Sequence, residues 1–235
     1  MKNSNKIAVI GAMECEVNSL KNLLQDIETK ENTNFYIYTG KISGKEIILS
    51  KSGVGKVCAA MTVQYIIDKY NPDIIVNTGV AGGLSPTLKI GDVIIGSELV
   101  QYDFDASALG YAKGYICNNI NPDKPTVFYS DKELIDVIVN NSSDLNINVG
   151  RIATGDMFVG SVDKKRKIFT EFNALAAEME GCAIAQCAYA NNIPFIIVRA
   201  VSDMADGTAM EAQNEFEKMV SKISSSAVEV LIKNI

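Results

Sequence analysis

The chain contains Asp73-Ile-Ile-Val-Asn-Thr-Gly-Val-Ala-Gly-Gly83, an apolar run that passes directly into a glycine-rich segment. An apolar run without polar alternation is typical of a strand whose two faces are both covered by helices. The run Phe195-Ile-Ile-Val198 has the same character. We therefore predict an α/β fold in which a mixed central β-sheet is flanked by helices. A length of 235 residues fits a single domain over residues 1–235.

Further β-rich runs lie on both sides of this stretch and alternate with helical patterns. They predict strands at residues 6–10, 34–39, 46–50, 73–77, 92–99, 150–154, 174–179 and 195–200. In this interpretation residues 78–83 are a glycine-rich turn after their strand, and residues 199–203 lie near the end of theirs. The segment 101–129 has weak periodicity, which predicts a lid or a surface that packs against a second subunit.

Three helical patterns are specific enough to give boundaries. The spacing of Met13, Val17, Leu20, Leu24 and Ile27 predicts a helix that continues through Ile27. The quartet Ser130-Asp-Lys-Glu133 predicts a capping box that opens a helix through about Asn140. Helical spacing recurs at Phe216, Met219, Val220, Ile223 and Ala227.

Composition excludes several classes of function. The net charge of −6 argues against nucleic-acid and anionic-membrane partners, since both need a basic face. No stretch of about 18 apolar residues predicts a membrane span. The 5 cysteines lack CxxC spacing, so we expect neither a disulfide framework nor a zinc site, and a cytoplasmic location. The chain has no histidine, so its general acids and bases must be carboxylates, Lys, Tyr or Cys.

Glycine and carboxylate residues concentrate where the predicted strands end. In α/β sheets, ligands bind beyond the carboxyl ends of the strands, so we expect a site there. Glu16 alone would be a helix-dipole residue and Asp203 alone a turn or cap residue. Glu178 and Glu180 differ, because two carboxylates at the end of a buried strand are unfavourable unless they are paired or used. These two therefore favour a function.

Six segments occur together in a known order. They are Gly11-Ala-Met-Glu-Cys-Glu-Val17, Ser52-Gly-Val-Gly-Lys56, Asn77-Thr-Gly-Val-Ala-Gly-Gly83, Gly155-Asp-Met-Phe158, Glu178-Met-Glu180 and Arg199-Ala-Val-Ser-Asp203. This set resembles the motifs of the 5′-methylthioadenosine/S-adenosylhomocysteine nucleosidases, and the match runs from about Lys6 to the carboxyl terminus. The resemblance implies a nucleoside phosphorylase-like three-layer α/β/α fold, a homodimer, a small-molecule nucleoside substrate, and neither a metal nor an organic cofactor.

The implied reaction is hydrolysis of the N-glycosidic bond of 5′-methylthioadenosine and S-adenosylhomocysteine, which releases adenine in methionine salvage and the methyl cycle. By the resemblance, Glu16 would activate the attacking water. Asp203, steadied by Ser202, would protonate the leaving adenine. Two carboxylates on opposite faces of a sugar follow the logic of inverting glycoside hydrolysis, in which the carboxyls stand about 6.5–9.5 Å apart.

The resemblance also implies a set of substrate contacts. Glu180 would hold the ribose hydroxyls beside Met179. Phe158 would stack on adenine, and the Val159 backbone would form hydrogen bonds with the edge of the adenine ring. Arg199 would help to hold the water. The remaining contacts would come from Ala12, Met13, Val54 and Gly82.

Two positions depart from the family pattern. Val80 stands where many members have serine, which removes a polar contact near the sugar or the water. Leu109 stands where the family often has phenylalanine. Because Leu109 would belong to the partner's thioether pocket, we expect an altered preference at the sulfur end of the substrate.

Three alternatives stay open at this point. A phosphorolytic purine nucleoside phosphorylase would need cationic phosphate donors, yet the first strand-end loop carries Glu14 and Glu16 and no arginine. A hydrolase of 6-amino-6-deoxyfutalosine would use the same machinery. A nucleoside-binding sensor would bind without turnover, and would have no use for an acid and a base on opposite sugar faces.

Overall fold

Ten strands join in one mixed sheet within residues 5–30, 36–116, 121–207 and 215–235, which are the residues described by the computed structural model. The strands are β1 (Lys6–Gly11), β2 (Gln25–Lys30), β3 (Tyr36–Ile42), β4 (Lys45–Lys51), β5 (Ile74–Gly83), β6 (Val93–Gln101), β7 (Phe128–Tyr129), β8 (Ile147–Thr154), β9 (Ala176–Glu178) and β10 (Phe195–Asp203). The helices are α1 (Glu14–Lys21), α2 (Lys56–Tyr70), α3 (Lys132–Asn141), α4 (Val162–Phe172), α5 (Gly181–Ala190) and α6 (Glu215–Asn234). Among these helices, none is both long enough and apolar enough to cross a bilayer.

Strand β5 is the centre of the sheet. It pairs in parallel with β1 and β10 and antiparallel with β9. Beyond β1 the sheet continues through β4, β3 and β2. On the other side, β10 pairs with β6, β6 with β8, and β8 with β9. Since β9 returns to β5, the strands β5, β10, β6, β8 and β9 close a ring, which the predicted mixed sheet did not specify.

Helices cover both faces of the sheet, as the apolar runs predicted. On β1, Ala8 and Ile10 belong to a buried cluster with α2 and α5. Their neighbours Ile7 and Val9 belong to a second cluster with α1, α3 and α6. Side chains alternate between the faces of a strand, and full burial of a Val or Ile side chain stabilises the fold by about 1.5–3 kcal/mol. The predicted three-layer α/β/α arrangement is therefore confirmed.

The predicted ends of two strands are wrong. Strand β5 continues through Gly83 instead of ending at residue 77, and β10 continues through Asp203 instead of residue 200. The glycines of β5 mark close approach and not a turn. A Cβ on Gly79 would lie 2.0 Å from Arg199 Nη1, and one on Gly83 would lie 3.1 Å from Val201 Cγ1. Glycine inside a strand often marks a position where a neighbouring group occupies the space of a side chain.

The first helix is shorter than predicted. It ends at Lys21, and the segment Gln25–Lys30 forms the edge strand β2, which pairs with β3. Ile27 is 47% exposed on this edge, so its helical spacing from Leu24 was coincidental. Pairing with an existing strand satisfies backbone N–H and C=O groups, and such tertiary contacts override a local helical period.

The start of α3 also differs by one residue from the prediction. Asp131 is the N-cap, and its side chain accepts a hydrogen bond from Leu134 N at 3.2 Å. Ser130 instead lies against β6: its hydroxyl donates to Gly96 O at 2.5 Å and its backbone N donates to Ser97 O at 3.1 Å. Strand β9 covers only Ala176–Glu178 of the predicted 174–179.

The segment 101–129 is irregular but hydrogen-bonded. It contains a short 3-10 turn at Ser107–Leu109 and the strand β7. Gly114 N donates to Phe104 O at 2.7 Å, and Ala112 N donates to Pro122 O at 2.8 Å. Residues 117–120 of this segment, residues 34 and 35 of the predicted strand 34–39, and the side chain of Phe216 lie outside the part that the structure describes.

Candidate active site

Glu16 lies in the first turn of α1, and its side chain is almost completely buried at 2% exposure. Its Oε2 accepts hydrogen bonds from Ala12 N at 2.6 Å and Met13 N at 2.9 Å. Its Oε1 accepts from Val80 N on β5 at 3.0 Å. Burial raises the pKa of this carboxyl, although the Arg199 guanidinium and the three N–H donors oppose the shift. The result is a carboxylate that takes up a proton more readily than a free glutamate.

Arg199 lies on β10 with 0% exposure. Its Nη2 donates to Asn77 Oδ1 at 2.6 Å and forms an ion pair with Glu178, while Nη1 donates to Thr78 O at 3.3 Å. Glu178 also accepts hydrogen bonds from the Thr154 hydroxyl and from the backbone of residues 180 and 181. A buried cation is tolerated only when it is paired in this way.

Gly79 allows the side chains of Arg199 and Glu16 to lie side by side against β5. A Cβ at this position would lie 2.0 Å from Arg199 Nη1 and 2.5 Å from Glu16 Oε1, so the guanidinium and the carboxylate occupy the space of a missing side chain. Any other residue here would displace one of the two charged groups.

Glu180 follows β9 and caps the start of α5, with 5% exposure. Its Oε1 accepts a hydrogen bond from Gly55 N at 2.8 Å, and its Oε2 lies 3.5 Å from Arg199 Nη2. Burial raises the pKa of Glu180 to about 7. The Arg199 charge and the Gly55 N–H oppose this shift, and the nearby Glu178 and Glu16 carboxylates reinforce it.

Asp203 ends β10. Its Oδ1 accepts from Ala205 N at 2.8 Å, and its Oδ2 accepts from the Ser202 hydroxyl at 2.9 Å. The residue opposite it on β5 is Gly82, and a Cβ there would lie 3.1 Å from Asp203 Oδ1. Gly82 therefore leaves the space that this carboxylate uses.

Glu16 and Asp203 both lie against strand β5. Glu16 bonds to the backbone of Val80, and Asp203 pairs with Gly82, two residues further along the strand. With a rise of about 3.3 Å per residue, the two anchoring positions are about 7 Å apart. This is the spacing of the two backbone positions on β5, and it is of the same order as the carboxyl separation of about 6.5–9.5 Å in inverting glycoside hydrolases.

The remaining residues from the sequence interpretation divide into two groups. Ala12, Met13, Gly82, Arg199 and Ser202 directly contact the carboxylates described above or leave space for them. Val54 precedes Gly55 in the loop that binds Glu180, and Met179 separates Glu178 from Glu180. The structure does not join Leu109 to this group, since its side chain is 77% exposed on the 3-10 turn.

The loop after β8 supplies an exposed aromatic side chain. Phe158 is 58% exposed, whereas Val159 beside it is 6% exposed and packs in a small apolar cluster with Val100 and Ala205. Phe158 is therefore not a core residue, although its residue type favours burial.

Comparison with known proteins supplies the family. The model of the phosphorylase superfamily matches residues 6–235. A 5′-methylthioadenosine/S-adenosylhomocysteine nucleosidase of Staphylococcus haemolyticus is 44% identical over 230 residues, which cover 97% of this chain and 99% of that protein. This chain belongs to the 5′-methylthioadenosine/S-adenosylhomocysteine nucleosidase family. The family predicted from the six motifs is confirmed.

Solved structures of this nucleosidase family have the same fold. The Neisseria meningitidis nucleosidase in complex with methylthio-immucillin-A gives a TM-score of 0.90 at 38% identity, covering 98% of this chain and 100% of that one. The Streptococcus pyogenes nucleosidase in complex with 5-methylthiotubericidin gives a TM-score of 0.92 at 38% identity, covering 99% and 98% of the two chains.

Sequence reasoning missed several residues of this candidate site. Glu178 was noticed as a buried carboxylate, but its pairing with Arg199 and Thr154 was not predicted. Gly79 was interpreted as part of a turn. Asn77, the strand residue that binds Arg199, had no specific signal, because a polar residue at a predicted strand end has many uses. In the part of the chain described here, no group of His, Cys, Asp and Glu side chains is arranged to hold a metal ion.

Proposed function

We propose that this nucleosidase-family chain hydrolyses the N-glycosidic bond of 5′-methylthioadenosine and S-adenosylhomocysteine, releasing adenine and the corresponding 5-thioribose. The observation that carries the proposal is the placement of Glu16 and Asp203 along β5, two strand positions apart. The relatives with this name, and the nucleoside analogues bound in the solved structures, support the same substrate class.

Glu16 is the proposed base. Its Oε1 accepts one N–H bond, and a carboxylate oxygen has room for a second donor, so a water molecule can bind there. Its raised pKa favours the uptake of a proton from that water as the water attacks the sugar. Arg199, next to Glu16 at Gly79, would help to hold the same water.

Asp203 is the proposed acid. It delivers a proton to the adenine ring while the glycosidic bond breaks, and the Ser202 hydroxyl and Ala205 N–H keep its two oxygens in place. A positioned acid or base typically contributes about 10²–10⁴ to the rate. Departure of adenine leaves positive charge on the ribosyl group, and the buried carboxylates nearby stabilise this charge.

The substrate contacts are proposed from the same geometry. Glu180, beside Met179, receives the ribose hydroxyls. Phe158 stacks on adenine, and the Val159 backbone bonds its edge. Ala12, Met13, Val54 and Gly82 would line the sugar and the thioether.

The charge balance of the site supports hydrolysis over phosphorolysis. Three buried carboxylates, Glu16, Glu178 and Glu180, surround one guanidinium. Arg199 Nη2 already donates to Asn77 and to Glu178. Binding of phosphate needs an excess of cationic groups, and the carboxylates that outnumber this single cation repel it.

The experiment that tests this proposal is adenine release from 5′-methylthioadenosine with and without inorganic phosphate. We expect the same rate in both buffers and free 5-methylthioribose as the sugar product. Strict dependence on phosphate, with a sugar 1-phosphate as product, would contradict hydrolysis. Binding of the nucleoside without any adenine release would instead indicate a sensor.

The pKa of Glu180 predicts a pH dependence of sugar binding. The carboxyl is protonated below a pKa of about 7 and ionised above it. Only the ionised form accepts both ribose hydroxyls, so affinity for 5-methylthioribose should fall roughly tenfold for each pH unit below that value. Calorimetric titrations between about pH 5.5 and pH 8 measure this slope. Glu180→Gln should bind more weakly and with a flat profile; an unchanged slope in the variant would assign the titration to another group.

The proposed assembly is a homodimer to which Leu109 contributes a side chain of the partner's thioether pocket. Exposed apolar side chains support an interface: Val57 and Met61 on α2, Tyr189 on α5 and Tyr129 on β7. Helix α5 packs against both α2 and β7. Light scattering on the purified chain decides between monomer and dimer. A monomer at enzyme concentrations would remove the basis for the role of Leu109.

Residues 1–235 are proposed to form one domain, since the sheet draws strands from Lys6 to Asp203 and the family model matches 6–235. The proposed location is the cytoplasm, and the proposed role is methionine salvage. The 5 cysteines without CxxC spacing support a reducing compartment, and cell fractionation tests it.

A further inference from the structure

Lys56 lies at the first position of α2 and carries an ion-pair cluster that the proposed chemistry does not use. Its Nζ donates to Asp103 Oδ1 at 2.6 Å and to Gln101 Oε1 at 3.1 Å, and lies 3.8 Å from Asp156 Oδ2. The side chains of Lys56 and Asp103 are 18% and 20% exposed. The cluster thus joins the start of α2, the end of β6 and the loop after β8.

Backbone groups are part of the same cluster. Asp156 Oδ1 accepts from Lys56 N at 2.8 Å, and Asp156 N donates to Asp103 Oδ2 at 2.8 Å. The preceding amide, Gly55 N, donates to Glu180. Two adjacent N–H groups at the start of α2 therefore bind two carboxylates. Lys56 N binds Asp156, in the loop proposed to contact adenine, and Gly55 N binds Glu180, which is proposed to contact the ribose.

Gly55 is the residue that permits this double contact. Its φ is +98°, in the region that favours glycine, and a Cβ there would lie 3.1 Å from Asp156 Oδ1. Both carboxylates can approach the helix start because no side chain intervenes.

The loop of residues 155–159 depends on these contacts because Phe158 is not anchored by packing, being 58% exposed. Gly155 N donates to Glu178 O at 3.0 Å, and the Tyr102 hydroxyl donates to Met157 O at 2.9 Å. Burial raises the pKa of Tyr102 to about 12, so this hydroxyl remains a donor. These hydrogen bonds hold the backbone immediately before Phe158.

We propose that Lys56, Asp103 and Asp156 are positioning residues that hold the adenine-binding loop in register with Glu180. They act through the loop, so they should govern affinity for adenine more than affinity for the sugar. This inference rests on the proposed function, in which Phe158 contacts adenine and Glu180 contacts the ribose. Partly exposed ion pairs contribute little to global stability, so their removal should leave the fold intact.

The test compares Asp156→Ala with Asp156→Asn, which keeps an oxygen acceptor for Lys56 N. Asp68→Ala is the matched control, since Asp68 is an exposed aspartate on α2 whose carboxylate accepts from Gln64. Dissociation constants for adenine and for 5-methylthioribose are measured by calorimetry on the purified chain, together with the melting temperature. KM and kcat for 5′-methylthioadenosine follow from adenine release.

We expect Asp156→Ala to weaken adenine binding about tenfold, as for the loss of one or two hydrogen bonds, and to change sugar binding less than about twofold. KM should rise more than kcat falls, and Asp156→Asn should recover most of the loss. Asp68→Ala should match the wild type. Equal weakening of both ligands, unchanged adenine binding, or the same effect in Asp68→Ala would overturn the assignment.

The two proposals fail differently. A wild-type chain that binds adenine without releasing it from the nucleoside would refute the hydrolase, while the comparison of the variants would still decide the role of Asp156. A wild-type chain that binds neither adenine nor the sugar would refute both.

Discussion

Asp203→Asn is expected to lower the rate of adenine release by about 10²–10⁴-fold, the usual contribution of a positioned general acid. Asparagine has the shape of aspartate but no acidic proton. Its oxygen can still accept from Ala205 N, and its amide group can donate to the Ser202 hydroxyl, which then serves as an acceptor. The variant should therefore fold and bind the nucleoside while the chemical step is slow.

Single-turnover kinetics with saturating 5′-methylthioadenosine isolate that step, and thermal unfolding verifies the fold. Ser202→Ala is the companion variant, because it removes the hydroxyl that positions Asp203 but leaves the acid. Its loss should be much smaller than that of Asp203→Asn. Wild-type turnover in Asp203→Asn would remove Asp203 from the mechanism.

Glu16→Gln should reduce turnover by a comparable factor, about 10²–10⁴-fold, because the amide cannot accept a proton from water. The structural consequence differs from that at Asp203. Both oxygens of Glu16 accept backbone N–H bonds, from Ala12 and Met13 on one side and Val80 on the other. A glutamine must turn its NH₂ group towards one of these donors, so it loses at least one hydrogen bond of about 0.5–1.5 kcal/mol.

Glu14→Gln provides a matched control for this variant. Glu14 lies in the same first turn of α1, and its side chain is 51% exposed, where it pairs with Lys21 and Lys51. The same chemical change there should leave kcat within about twofold of the wild type, as expected for an exposed ion pair. If Glu14→Gln and Glu16→Gln lost activity equally, the effect would come from the helix terminus and not from a base.

Adenine binding separates the two catalytic proposals. Glu16 is proposed to act on the water, so Glu16→Gln should bind free adenine like the wild type. Asp203 is proposed to face adenine, so Asp203→Asn should change the affinity for adenine. Calorimetry with adenine measures both, and a reversed pattern would exchange the assigned roles.

Sequence reasoning predicted most of the elements but placed some of their ends wrongly. Strands β1 and β4 follow their apolar runs, since burial on both faces leaves a signal in each run. Strand β8 begins at Ile147 instead of residue 150, because its first residues are only partly buried and have no apolar run. The ends of β5 and β10 were predicted too early, because the glycine and polar residues there contact groups on other strands and are not apolar enough to continue the run. The edge strand β2 has no buried face, so its sequence lacks the alternation of apolar and polar residues that indicates a strand. Its helical spacing was therefore mistaken for a helix.

The amino-acid sequence by itself determined the chemistry available to this protein. Without histidine the proton transfers must fall to carboxylates, Lys, Tyr or Cys, and six motifs in register assigned the chain to its family. The sequence also specified which runs are apolar enough for a covered sheet.

Tertiary structure alone decided how those groups meet. Pairing of β5 with β10 sets Asp203 beside Gly82, and the Gly55 amide reaches Glu180 from 125 positions away along the chain. The closure of five strands into a ring and the insertion of Arg199 into the space at Gly79 are likewise contacts between distant segments. Local propensity carries no information about such contacts, because they depend on which strands are neighbours and on how closely their backbones approach.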